Sequence, residues 1–100
     1  MDIVSFRTAK LLKVSGINQR RCSWDKYYNS NGDIVGSNSI DRRYFAPLIE
    51  DALHYIKHTY DVSIYNVNSD VFMVNTRRNT TTKVASKGEA IFIFLKSRYL

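Results

Sequence analysis

Glu50, His54 and His58 recur every four residues, with Asp61 just beyond, so on a helix they stand along one face. Two imidazoles at that spacing are a unit from which zinc sites are built. The stripe offers fewer donors than a structural zinc takes, and it lacks the His-Glu-x-x-His order that supplies a general base. A solvated face with favourable Glu–His spacing is therefore expected, with no metal and no other cofactor. Cys22, the only cysteine, excludes an intramolecular disulfide and fits a reducing interior. It falls in a strand-like segment away from both histidines, which reads as a buried structural thiol rather than a nucleophile. The chain has neither a Gly-rich phosphate loop nor a Gly-x-Ser-x-Gly elbow, so the residues point away from an enzyme.

Binding chemistry is better represented. Arg20, Arg21, Trp24, Lys26, Tyr27, Tyr28, Arg42, Arg43 and Tyr44 interleave cations with aromatic rings, a combination that contacts phosphates while stacking bases. Arg77, Arg78 and Lys83 form a second cluster, and Arg7, Lys10 and Lys13 repeat every three residues along a helix side. Lys plus Arg number 15 against 9 Asp plus Glu, a net charge of +6 that favours polyanions or acidic protein surfaces. The same aromatic residues are also ordinary packing groups of a half-buried sheet. Whether the clusters share one face separates the two readings, and spacing alone does not decide it.

The elements that must carry these residues follow from periodicity and caps. Ser5 can cap a helix over 6–15, and Gly16 can end it in the left-handed conformation. Asn31-Gly32 between strand-like runs signals a hairpin, 22–28 returning through 33–35, with Asp41-Arg42-Arg43 as a charged lead into the next element. Pro47 suits the first turn of a second helix, 47–60, whose Ile49, Leu53 and Ile56 should be core. Residues 62–67 and 71–77 form a second hairpin across Asn68-Ser69-Asp70, and 80–84 read as a third, edge strand. One hundred residues, 44% hydrophobic and 24% charged, make a single α+β domain, 1–100, with three helices packed on a small antiparallel sheet built from two hairpins.

The C-terminal segment sets two rules against each other. Ser86 with Glu89 has the form of a capping box and predicts a helix over 87–99. The run Ala90 to Leu95 is rich in β-branched and aromatic residues and would also suit a strand. As a helix it is apolar nearly all round, more than one packed face needs. Ile91, Phe92, Ile93, Phe94, Leu95 and Tyr99 are therefore the candidate protein-interaction surface, for a protein partner or a second copy of the chain. The N-terminus shows no signal-peptide pattern, and this apolar run is far below the roughly 20 residues that span a bilayer, so no membrane association is expected. Asn79-Thr80-Thr81 matches a glycosylation sequon, read as chance without secretion.

At 3–13 (Ile-Val-Ser-Phe-Arg-Thr-Ala-Lys-Leu-Leu-Lys), at Tyr44-Phe45-Ala46-Pro47 opening a helix, and at Glu89-Ala90, the chain resembles small uncharacterised proteins of intestinal Bacteroidetes bacteria and their crAss-like bacteriophages. That resemblance implies a helix, hairpin, helix, sheet, helix order and supports the helical reading of 87–100. It departs in the longer basic stretch 19–43 and in Leu53-His54-Tyr55, where the group carries a Trp. It transfers no functional residue. It implies a bacteriophage or mobile-element protein, cytoplasmic in a bacterial host or associated with the virion. The expectation is a non-catalytic interaction protein acting through the C-terminal helix, with nucleic-acid binding by the basic aromatic hairpin as the alternative.

Overall fold

The computed structural model describes residues 2–17, 26–75 and 80–99. Helix α1 spans Phe6–Ser15, and both its ends form as its sequence dictates. Ser5 Oγ accepts from the Thr8 amide at 3.2 Å. Gly16 takes φ 85°, turning its own amide onto the Lys13 carbonyl at 3.2 Å. Thr8, Ala9, Leu11 and Leu12 are buried.

The first sheet holds β1 (Tyr27–Tyr28), β2 (Ile34–Val35) and β3 (Tyr44–Phe45) in the order β2-β1-β3, all antiparallel. The β1–β2 turn is tied by Asn29, whose Oδ1 accepts from the amides of Asn31 and Asp33 at 2.9 Å. Gly32 adopts φ 88° there, and a Cβ on it would stand 3.0 Å from the Phe6 ring, so the turn seats directly on α1. Strand β3 was not anticipated by the sequence reading, which took Asp41-Arg42-Arg43 as a charged lead into the next element and began the helix at Pro47. Two residues cannot display a period of two, and this strand is defined by pairing Tyr27↔Phe45 and Tyr28↔Tyr44. Positions 22–25 of the expected hairpin lie outside the described residues.

Helix α2 spans Ile49–Thr59, two residues later than Pro47 suggests. Leu48 sits at the N-cap without a side-chain hydrogen bond; instead the Asp2 carbonyl accepts the Ile49 amide at 2.9 Å. Leu53 and Ile56 are core as expected, whereas Ile49 is only half-buried against it.

The second sheet comprises β4 (Val62–Val67), β5 (Asp70–Asn75) and β6 (Thr80–Val84), ordered β4-β5-β6 and antiparallel. The β4–β5 loop is the two residues Asn68 and Ser69, both at positive φ (48° and 74°). Asp70 therefore pairs with Val67 inside the ladder rather than belonging to the turn. The fold is α+β as expected, and among the described residues the strands form two three-stranded antiparallel sheets, one around each hairpin.

Helix α3, Lys87–Tyr99, resolves the C-terminal conflict in favour of the cap. Ser86 Oγ accepts from the Glu89 amide at 3.2 Å, and Ala90, Ile91, Phe94 and Leu95 turn inward together at helical spacing. One hydrophobic cluster joins α3 to Leu12 of α1, Leu53 and Ile56 of α2, Tyr28 of the first sheet and Ile64 and Met73 of the second. Among the described residues no helix is long and apolar enough to cross a membrane.

Candidate functional site

Three of the six residues expected to form an association surface on α3 are core. Ile91 and Leu95 are 0% exposed and Phe94 is 4% exposed, because the helix lies between α1, α2 and the second sheet and needs a wide apolar face. The other three are half-buried and already engaged. The Arg7 guanidinium stands 4.2 Å above the Phe92 ring, and Ile93 packs against the core cluster. Tyr99 shares a hydrogen bond with the Tyr60 hydroxyl. Ile91, Phe94 and Leu95 are thus covered by the chain itself and cannot form an association surface, while Phe92, Ile93 and Tyr99 stay partly exposed.

The acidic and imidazole stripe of α2 also divides. Lys87 takes Glu50 in an ion pair at 3.2 Å, while His54 and His58 remain exposed with ring centroids 4.2 Å apart. Among the described residues, no group of three or more His, Cys, Asp or Glu side chains comes together.

The basic residues do converge. A cleft of about 290 Å³ opens between the C-terminal end of α1 and the first sheet, lined by Lys13, Ile17, Tyr27, Arg42, Arg43 and Phe45. Helix α1 supplies Lys13 from its last turn, and Gly16 turns the chain so that Ile17 follows into the wall. Tyr27 and Phe45 are cross-strand partners whose rings lie 5.7 Å apart, tilted by 59°. They are only 7% and 9% exposed, so they form a floor rather than open stacking faces. Arg42 and Arg43 enter from the segment leading into β3, where the Arg43 amide donates to the Tyr28 carbonyl at 2.9 Å.

Two of the three cations, Lys13 and Arg42, are positioned by neighbours. Lys13 Nζ donates to the Arg43 carbonyl at 3.2 Å and lies 5.2 Å from the Tyr44 ring centroid. The Arg42 guanidinium donates to the Ser37 carbonyl and stands 5.8 Å from the Tyr27 ring centroid. Beside the rim, Asp41 accepts from the Ser30 hydroxyl at 2.6 Å and the Ser30 amide at 3.1 Å. Those two bonds, with a smaller contribution from the charge of Arg43, hold its carboxyl below the ordinary value.

Arg42 and Arg43 belong to the cluster read from the sequence, and Lys26 is half-buried just before β1. Arg20, Arg21, Trp24, Arg77 and Arg78 lie outside the described residues. Lys13, Ile17 and Phe45 were not legible as partners of that cluster. Lys13 belongs to the basic helix stripe, whose other members diverge: Arg7 goes to Phe92, and Lys10 stands over the Phe6 ring at 4.7 Å. A larger cleft of about 490 Å³ lies where α2 and α3 begin, but there Glu50 pairs with Lys87 and Asp2 adds negative charge.

No protein-family model matches the chain, and no match was found among curated proteins or solved structures.

Proposed function

We propose that this is a non-catalytic nucleic-acid-binding protein that holds the sugar–phosphate backbone in the cleft between α1 and the first sheet. The observation that carries this reading is the convergence of Lys13, Arg42 and Arg43, from two elements distant in sequence, on one cleft. Lys13 and Arg42 are each oriented by a backbone carbonyl, which reduces the side-chain entropy they lose on binding, and Arg43 is held at its backbone by the Tyr28 carbonyl. Among the described residues, the ion pairs Lys83–Asp70 and Lys87–Glu50 engage other lysines. The net charge of +6 adds long-range attraction for a polyanion. Because the aromatic floor is buried, the cleft favours phosphate contacts and therefore binding with little sequence preference. A bacteriophage or mobile-element origin, implied by the resemblance of the chain's ends and centre, is compatible with this activity.

The test is anisotropy of labelled single-stranded and duplex oligonucleotides titrated over a range of salt. Affinity should fall steeply with salt, each phosphate contact contributing roughly −0.9 to the log–log slope on duplex and about −0.7 on single strands. Replacing Lys13, Arg42 and Arg43 together by Gln should weaken binding and flatten that slope by about two units or more. No binding at low salt, or unchanged binding by a correctly folded triple variant, overturns the proposal.

A further inference from the structure

The two exposed imidazoles on α2 have no part in that cleft, and their geometry matters for a different ligand. His54 and His58 occupy successive turns of one face, with ring centroids 4.2 Å apart and planes inclined at 61°. One ion bound by two imidazole nitrogens at about 2.0–2.1 Å holds those nitrogens roughly 3 Å apart, which requires rings that are already close neighbours. The helix supplies that proximity before any metal arrives, since residues four apart face the same way. Both residues are open to solvent, so an ion can enter. Glu50, one turn before His54, is occupied by Lys87 and does not compete for that face.

We propose that His54 and His58 form a bidentate site for a borderline divalent transition metal, Cu2+, Ni2+ or Zn2+. The two imidazoles fill only part of the ion's coordination sphere, leaving positions for water or an external donor, so the site is a surface chelate rather than a closed structural centre. Imidazole donors select these ions over Mg2+ and Ca2+, which take oxygen ligands. The order of affinity follows the general series, with Cu2+ above both Ni2+ and Zn2+. Holding the two donors on one helix makes the second bond intramolecular, which is the origin of the affinity. Binding also ties together the last turns of α2, the helix that carries Leu53 and Ile56 into the core.

Isothermal titration of the full chain with NiCl2 and CuCl2, in a buffer free of chelators, tests this. The expected result is one ion per chain and a rise in melting temperature on loading. His54→Ala and His58→Ala should each weaken binding on the order of a hundredfold by removing the chelate. Alanine is the better helix former and both sites are exposed, so these variants should fold, as circular dichroism can verify. Cys22→Ser should bind as the unaltered chain does. Equal affinity of the unaltered chain and both His variants overturns the proposal, as does loss of binding in Cys22→Ser alone. Saturation by MgCl2 at equal affinity overturns it as well.

Discussion

Ser69 holds φ at 74° next to Asn68 at 48°, a pair of left-handed conformations that Asn tolerates far better than Ser. Ser69→Gly should therefore stabilise the protein by up to about 1 kcal/mol in urea unfolding, less the entropy that glycine adds to the unfolded chain. A destabilised variant would show that the Ser69 side chain contributes more than its backbone strain. The turn itself was legible from composition, but its length was not. Asn, Ser and Asp are all turn formers, and only the pairing Val67↔Asp70 excludes the third from the loop. Asp41 yields a pH prediction at the same scale. Its folded pKa lies below the ordinary 3.8 because Ser30 donates to the carboxylate, so its contribution is present above that value and is lost as pH falls through the lower folded one. Asp41→Asn should lose less stability than the unaltered chain when both are unfolded by urea at progressively acidic pH. Identical acid profiles would mean the Ser30 bonds form equally well to the neutral group.

At the level of elements, the clearest lesson comes from α3. Its start was readable from Ser86 and Glu89, and its inward face from the spacing of Ile91, Phe94 and Leu95. Ser86→Ala should lower stability by about 1 kcal/mol, because the Glu89 amide loses its acceptor; a neutral result would place helix initiation elsewhere. What covers the remaining apolar side was not readable, since the Arg7–Phe92 contact joins the two ends of the chain. Strand β3 was invisible for a related reason: its existence depends on Tyr27 and Tyr28, not on its own two residues. The far end of α3 is fixed by Tyr99 to Tyr60, and burial first, then that hydrogen bond, hold the Tyr60 phenol well above its ordinary 10.0. Folding thus favours the neutral phenol, so this contribution is complete below the ordinary value and is lost as pH rises through the higher folded one. Tyr60→Phe should show a shallower loss of stability than the unaltered chain between neutral pH and pH above about 10.

For the molecule as a whole, the candidate cleft was the least legible feature because it is a product of assembly. The charges on Lys13, Arg42 and Arg43 were visible, but their meeting requires α1 to pack on β3 and Gly32 to seat on Phe6. The two sheets stand in a similar relation, belonging to different segments yet sharing one cluster through α3, which contacts α1, α2, β5 and β6. If α3 is the element that couples them, a cavity at its most buried point must be felt at both ends of the molecule. Leu95 is 0% exposed, and Leu95→Ala should lower stability by about 2–5 kcal/mol. The transition should remain single, and amide protection in β1 and β5 should fall by similar factors, as in cooperative global opening. Two separable transitions, or protection lost in β5 while β1 keeps its own, would show that the sheets unfold independently and that the cleft does not depend on α3 for its shape.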